Sequence, residues 1–203
     1  LQEPGGSRMH YNYPRIGGVK RDMPIGFADR VIAKTKLFEK RLDEYEMMLD
    51  ESTIWLVRLQ GVGYANAESM VDAGVSGPNV RAAGVNYDVR WAHPYSVYDE
   101  IDWEPAVEKP TSVKGADCYD RYRVRMEEMR QSCRMVLDAL NKIPGGKNTN
   151  YANGDEMIYT KAPTRAPEGA TGFSNYECTR GASQFYIQGG GEGRGKNPYR
   201  VSI

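Results

Sequence analysis

Residues 116–142 read ADCYDRYRVRMEEMRQSCRMVLDALNK, the clearest helical pattern in the chain. Its apolar and aromatic residues recur at alternating steps of three and four, a narrow seam typical of a helix that packs against another helix. The seam consists of Tyr119, Tyr122, Met126, Met129, Cys133, Val136 and Leu140. Asp117 and Asp120 in the first turn and Lys142 in the last turn match the helix dipole. The segment predicts a long helix with a helical partner.

A second long helix is predicted upstream, over residues 26–50. Its apolar residues also recur at steps of three and four, and Lys, Arg and Glu occupy the other face. The apolar set is Val31, Thr35, Phe38, Leu42, Tyr45 and Leu49. Between the two helices, residues 55–59 alternate briefly, residues 67–73 favour a short helix closed by Gly74, and residues 77–114 are loop-rich.

The last third of the chain has a different pattern. Residues 144–146, Pro-Gly-Gly, end the second helix, and residues 147–168 are polar and rich in turn formers. Three strands joined by glycine-containing turns follow, at residues 172–177, 184–188 and 199–203. The fold class is therefore α+β, with long helices packed around an irregular middle and a small antiparallel sheet. We expect one incomplete domain, with a helical core portion at 1–146 and a polar loop plus β-hairpin region at 147–203.

The composition excludes several classes of function. Lys and Arg number 27, as do Asp and Glu, so the balance lacks the basic excess of nucleic-acid-binding proteins. No apolar run approaches the roughly 20 residues that span a bilayer. The three cysteines, Cys118, Cys133 and Cys178, are far apart and form no Cys-x-x-Cys pair. This spacing favours a reducing compartment and lacks the clustered thiolates of iron–sulfur or structural zinc sites.

Residues 8–24 combine two prolines, a glycine pair, basic residues and His10, which predicts an irregular but ordered crossing. The residues leave two interpretations of His10 open. It could hydrogen-bond within a packed turn, or it could be a proton-linked group beside a charged cofactor. At about 4 Å and an effective dielectric of 20, a unit charge contributes roughly 4 kcal/mol, enough to move a histidine pKa by some three units.

A group of charged residues in the irregular middle is expected to be structural. Arg81, Asp88 and Arg90, together with Asp22, predict an ion-pair network that ties loops together. The arginines of the second helix are interleaved with glutamates, which favours a solvated or subunit-facing helix. They are Arg121, Arg123, Arg125, Arg130 and Arg134, with Glu127 and Glu128. We find no nucleophile–base–orienter set, so no catalytic residue is assigned to this chain alone.

Several of these segments, in this order, resemble one family, the D subunit of respiratory complex I. This is the 49-kDa-type subunit, which is related to the large subunit of nickel–iron hydrogenases. The similarity is strongest at Asp117-Cys118-Tyr119-Asp120-Arg121-Tyr122 and at 125–132. The other matching segments are 7–10, 17–19, 22–24, 76–78, 81–84, 87–90, 94–99, 177–181 and 198–200. The resemblance implies an incomplete hydrogenase-large-subunit-like fold.

The chain departs from the family pattern in four ways. The family's quinone-contacting residues lie upstream of anything that matches Leu1, and its C-terminal segment is absent. A helix that the family usually has is replaced by the polar stretch at 147–168. The Cys-x-x-Cys pairs that hold nickel in the hydrogenases are absent too. The chain therefore resembles the middle of the subunit, and we do not expect it to build the quinone pocket by itself.

The resemblance also implies a role, cofactors and partners. In that family the residue that matches His10 lies beside the terminal 4Fe-4S cluster of a neighbouring small subunit and is implicated in coupling proton uptake to cluster reduction. The resemblance implies the same role for His10, with Arg8 as a weaker candidate. No cofactor is expected on this chain alone, and quinone is expected in the assembled complex. The implied partners are the small Fe-S subunit, the C-type (30-kDa-type) subunit and the membrane subunit that forms the quinone channel.

The implied function is that of a fragment or split form of the quinone-site subunit in an NADH, or F420H2 or ferredoxin, quinone oxidoreductase that pumps ions. Its place would be the peripheral arm, on the cytoplasmic face of a prokaryotic membrane or the matrix side of the mitochondrial inner membrane. Two alternatives remain open: a non-catalytic structural or assembly subunit, and part of a membrane-bound hydrogenase relative.

Overall fold

The computed structural model describes residues 9, 13–15, 18–19, 23–143, 167–191 and 197–203. In these residues the helices are α1 (Phe27–Asp50), α2 (Thr53–Leu59), α3 (Ala67–Asp72), α4 (Pro78–Ala82), α5 (Val89–Ala92) and α6 (Cys118–Lys142). The strands are β1 (Pro14–Arg15), β2 (Gly18–Val19), β3 (Thr171–Cys178), β4 (Gly181–Gln188) and β5 (Arg200–Ser202). The predicted α+β class is confirmed, because two long helices flank an irregular middle and a small antiparallel sheet follows.

The two long helices pack against each other, as the seam of α6 predicts. Leu42 of α1 is fully buried against Met126 and Cys133 of α6. Tyr122 and Met129 pack around this small cluster. The 3-4 spacing of α6 therefore identifies the face that contacts α1.

A second buried stripe on α6 lies away from α1, at positions 120, 124 and 128. Val124 is fully buried in a cluster with Val80 of α4, and Asp120 is also fully buried. The expectation of a solvated or subunit-facing surface is wrong for Glu128, whose side chain is only 18% exposed and pairs with Arg81 of the same chain. Arg134, by contrast, is 64% exposed. Steps of four residues place these side chains on one face. Because this face contains charged residues, the sequence does not readily show that it is a second packing surface.

The start of α6 is fixed by two aspartates. The carboxylate of Asp117 accepts hydrogen bonds from the backbone N–H of Asp120 at 2.9 Å and from that of Gly61 at 2.9 Å. The Asp120 carboxylate accepts from the backbone N–H of Asp117 at 3.1 Å, which completes a capping box. Just before it, Gly115 touches the backbone of Ala65, whose oxygen a Cβ at 115 would approach to 2.4 Å. The capping box and the close backbone contact of Gly115 together determine where α6 begins.

The brief alternation at residues 55–59 does not produce a strand. The hydroxyl of Ser52 accepts a hydrogen bond from the backbone N–H of Trp55 and caps α2. The indole of Trp55 then meets the ring of Tyr122 edge to face, with centroids 5.7 Å apart. Capping and ring packing thus override a pattern that is too short to define a strand.

The C-terminal strands form one antiparallel sheet in the order β3–β4–β5. Thr179 and Arg180 form the tight turn between β3 and β4, and the register runs from Cys178 opposite Gly181 to Thr171 opposite Gln188. The three predicted strands are confirmed. Near the N-terminus, β1 and β2 make a short antiparallel pair within the crossing segment. In the described part of the chain, no helix combines the length and the apolar character that crossing a membrane requires.

The sheet is attached to α4 by a close backbone contact. Gly77, just before α4, lies against the turn of the hairpin, and a Cβ at 77 would come within 2.4 Å of the Cα of Gly181. The Ser76 hydroxyl accepts a hydrogen bond from the backbone N–H of Ala182 at 2.9 Å. Two glycines are required because any side chain would separate the two segments.

We expect Gly77→Ala to lower the free energy of unfolding by about 3 kcal/mol or more, since it adds a backbone clash to a positive φ of 77°. Gly74→Ala is the matched control. Its φ is 69° and its Cβ would meet nothing within 4 Å, so about 1 kcal/mol is expected. Urea denaturation of both variants gives the comparison, and equal losses would refute the close-contact explanation.

Tyr122 generates a prediction at alkaline pH. Burial, with a smaller contribution from the carboxylates of Asp50 and Glu46, raises the pKa of Tyr122 to about 12. The folded state therefore holds its proton more tightly than the unfolded state, whose tyrosine pKa is about 10. The resulting stability is fully present below pH 10 and is lost as the pH rises towards 12.

Tyr122→Phe should make the fall in unfolding free energy between pH 9.5 and 11.5 shallower, by an amount on the order of 1 kcal/mol. At pH 7 the same change should cost little, because among the described residues the buried Tyr122 hydroxyl has no hydrogen-bond partner. Parallel stability curves for the variant and the native chain would contradict this assignment.

Candidate functional site

The most concentrated polar feature is a buried charge cluster around Arg81 of α4. The Arg81 side chain is 2% exposed. Its Nε and Nη2 both donate to Oε1 of Glu128, at 2.8 and 2.7 Å. Its Nη1 lies 3.0 Å from Oε1 of Glu177 and 3.1 Å from Oδ2 of Asp88, and it also donates to the Tyr87 carbonyl at 3.0 Å. One guanidinium thus joins carboxylates from three separate segments.

Asp88 links Arg81 to a second arginine. Arg90 forms a bidentate pair with it, Nε to Oδ1 at 2.9 Å and Nη2 to Oδ2 at 2.7 Å. The Arg90 guanidinium also lies over the ring of Trp103, 4.8 Å from its centroid. Burial opposes the charge, but the hydrogen bonds and charge of Asp88 outweigh it and raise the pKa of Arg90 above its ordinary value. Asp88 also caps α5, because Oδ1 accepts the backbone N–H of Arg90.

Glu177 brings the sheet into the cluster. It lies near the end of β3, its side chain is 4% exposed, and its Oε2 accepts the backbone N–H of Val89 at 3.3 Å. Its own backbone N–H donates to the hydroxyl of Tyr95 at 3.3 Å. Burial raises the pKa of Tyr95, so the phenol stays protonated. Both carboxylate oxygens of Glu177 are therefore satisfied by partners outside the sheet.

Glu128 lines a cleft of about 400 Å³ together with Arg81, Arg90 and Glu177 of the same cluster. The walls of this cleft also include Arg125 and Cys178. Burial raises the pKa of Glu128, although the adjacent Arg81 guanidinium acts in the opposite direction. With two arginines and three carboxylates, the cluster has one formal negative charge in excess. Its hydrogen bonds are directed inward, an arrangement suited to holding elements together rather than to attacking a substrate.

Three of the residues that sequence analysis selects meet in this cluster: Arg81, Asp88 and Arg90. Asp22, His10 and Arg8 lie outside the described residues. Sequence analysis missed two members, Glu128 and Glu177. Glu128 follows Asp120 and Val124 at steps of four, which is a signal of a shared face, whereas Glu177 carries no local signal because its partner is 96 residues away.

The described residues do not suit a metal or iron–sulfur cluster. Across the described ranges, no three side chains of His, Cys, Asp or Glu meet in a group that could hold a metal ion. The thiol of Cys133 is buried in the α1–α6 seam, and burial raises its pKa.

Removal of the central guanidinium should be costly. Arg81→Met leaves the carboxylates of Glu177 and Glu128 without their guanidinium partner, so we expect a loss of about 3–5 kcal/mol of unfolding free energy. Arg123→Met is the control, because its pair with Glu108 is partly exposed and should be worth less than about 1 kcal/mol. Urea denaturation midpoints of the two variants give the comparison. Similar losses of unfolding free energy in Arg81→Met and Arg123→Met would argue against a buried cluster.

Comparisons with known proteins agree with this architecture. The family model described as "Respiratory-chain NADH dehydrogenase, 49 Kd subunit" matches residues 1–203. The NADH-ubiquinone oxidoreductase 49 kDa subunit of Reclinomonas americana is 44% identical over 141 residues, which are 70% of this chain and 34% of that protein. The mitochondrial NADH-ubiquinone oxidoreductase 49 kDa subunit of Neurospora crassa is 35% identical over 98% of this chain and 43% of its own length.

Among solved structures, a chain of the membrane-bound sulfane sulfur reductase, an archaeal respiratory membrane complex, superimposes with a TM-score of 0.79 and 29% sequence identity. The match covers 100% of this chain and 52% of that chain. The chain thus spans about half, or less, of the length of the relatives it matches. The family match over all 203 residues shows that this chain belongs to the 49-kDa subunit family of the respiratory-chain NADH dehydrogenases.

Proposed function

We propose that this chain is the central part, as a fragment or split form, of the quinone-site subunit in an NADH-type or F420H2- or ferredoxin-dependent quinone oxidoreductase coupled to ion pumping. The family match and the names of the relatives support the reaction class. The electron path would run from a 4Fe-4S cluster on a neighbouring small subunit to quinone in the assembled complex. The chain alone would be inactive.

One observation carries the role within that assembly: Arg81 is 2% exposed and is held by carboxylates of α6, β3 and the segment before α5. Such a cluster fixes the helices and the hairpin relative to each other. The chain's contribution would be a rigid frame within the assembly, and residues 8–24 would lie beside a redox centre of another subunit.

Within the crossing segment, His10 is the proposed proton-linked group, and Arg8 contributes positive charge. His10 would bind a proton more tightly when the neighbouring centre carries an added electron, because opposite charges in a partly buried site attract strongly. The cluster itself would be carried by the small Fe-S subunit.

The same proposal places the chain in the peripheral arm of a membrane complex. Its neighbours would be the small Fe-S subunit, the 30-kDa-type subunit and the membrane subunit that forms the quinone channel. The helices of the described part, none of which is long and apolar enough to cross a membrane, are compatible with this placement.

The test is His10→Met in the assembled complex. The midpoint potential of the terminal cluster, measured by redox titration at pH 6–9, should lose its pH dependence, which is at most about 59 mV per pH unit for one proton and one electron. His93→Met is the matched control, since His93 is the other histidine and is exposed. An unchanged slope in the His10 variant would refute this role.

A separate assay decides between this function and an assembly subunit without redox chemistry. Quinone reductase activity in a complex that contains this chain and no other D-type polypeptide would support the first. A complex that assembles around the chain without such activity would support the second.

A further inference from the structure

The carboxylates of the Arg81 cluster outnumber its arginines. Asp88, Glu128 and Glu177 supply three negative charges when all are ionised, and Arg81 and Arg90 supply two positive ones. All five side chains are less than one fifth exposed, so water compensates the excess charge poorly. One proton on one carboxylate makes the cluster neutral, and the hydrogen bonds decide which carboxylate can take it.

Asp88 and Glu177 use all of their oxygens. Oδ1 and Oδ2 of Asp88 accept from Nε and Nη2 of Arg90, and Oδ2 also lies 3.1 Å from Nη1 of Arg81. Oε1 of Glu177 accepts from Nη1 of Arg81, and Oε2 accepts the backbone N–H of Val89. A proton on any of these four oxygens would displace a donor that the buried cluster already uses.

Glu128 differs because a single oxygen takes all of its pairing. Nε and Nη2 of Arg81 both donate to Oε1, at 2.8 and 2.7 Å. Among the described residues, Oε2 accepts no hydrogen bond, and the side chain lines the cleft. A proton on Oε2 therefore removes the excess charge and leaves both bonds to Arg81 in place.

The other charged and titratable groups around Glu128 do not compensate it. Arg125 of α6 also lines the cleft, but its Nη1 donates to the Arg121 carbonyl at 2.9 Å, and it pairs with none of the three carboxylates. Cys178 is a further titratable residue of the wall. Burial raises the pKa of Glu128, and it outweighs the opposite effect of the Arg81 and Arg90 guanidinium groups.

We propose that the Arg81 cluster is a proton-binding site, with the proton held on Oε2 of Glu128. The proton comes from solvent, and the step forms one O–H bond and breaks no hydrogen bond of the cluster. The site does not depend on an open cleft, because further burial raises the cost of the charged carboxylate. It lies outside the crossing segment and does not depend on the redox role of His10.

The site makes the stability of the fold depend on pH. The folded state holds this proton more tightly than the unfolded chain, in which a glutamate has a pKa of about 4.3. The contribution of Glu128 to stability is therefore fully present below a pH of about 4.3 and is lost as the pH rises through the raised pKa of the folded state. Glu128→Gln mimics the protonated form, since the amide carries no charge and its oxygen can still accept from Arg81.

The direct test is carbon-13 NMR of the 203-residue chain labelled at the glutamate carboxyl carbons. The signal that Glu128→Gln removes should titrate with a midpoint above about 4.3. Ser132→Lys places an ammonium group one helical turn beyond Glu128, on the wall of the cleft, and should shift this midpoint to lower pH. A native midpoint at or below about 4.3, or one that Ser132→Lys does not lower, would overturn the proposal.

Urea denaturation at about pH 4, 6 and 8 gives an independent measurement. The midpoint of Glu128→Gln should increase relative to that of the native chain as the pH rises. Glu127→Gln is the matched control, because it removes the same charge one residue away, where the side chain is 40% exposed and lies outside the cluster. The proposal is wrong if both variants show the same trend, or if Glu128→Gln does not fold at any of these pH values.

Discussion

The guanidinium of Arg81 is buried, and a buried guanidinium is stable only when carboxylates lie close to it in good hydrogen-bonding geometry. The fold must therefore bring such carboxylates to Arg81. Charge burial costs several kcal/mol unless the partners are close and fully hydrogen-bonded. The partners of Arg81 come from α6, from the segment before α5 and from β3, up to 96 residues away. No one of these segments can move without exposing or unpairing a buried charge, so the cluster couples the helices to the hairpin.

The cluster can form only because the backbones around it approach unusually closely. Gly77 and Gly181 touch without side chains between them, and this contact brings the end of β3 over α4. A second contact of the same kind, Gly115 against Ala65, sets the start of α6. Sterics and electrostatics therefore act together, since the glycines allow the approach and the charges make it specific.

Local periodicity was enough to predict the long helices and the three C-terminal strands, because each depends on residues a few positions apart. It did not predict that Glu177 joins the charge cluster, because its partner Arg81 is far away in sequence. It also did not predict that α6 packs on two faces rather than one. The four-residue spacing of Asp120, Val124 and Glu128 does indicate that α6 has a second packing face. The arginines next to these positions make the face difficult to recognise from the sequence, because a helix face with charges of both signs is usually exposed to solvent.

The chemistry of the cluster also determines how its structure responds to pH. Guanidinium groups keep their charge throughout the pH range in which proteins are folded, so a frame built on arginine–carboxylate pairs stays intact as the pH changes around neutrality. Burial raises the pKa of Glu128, which lines the cleft. In the proposed role of His10, a frame whose structure does not depend on pH would let the histidine change its protonation state without changing the distances around it. That separation of a fixed frame from a titrating group is what a proton-linked redox role for His10 requires.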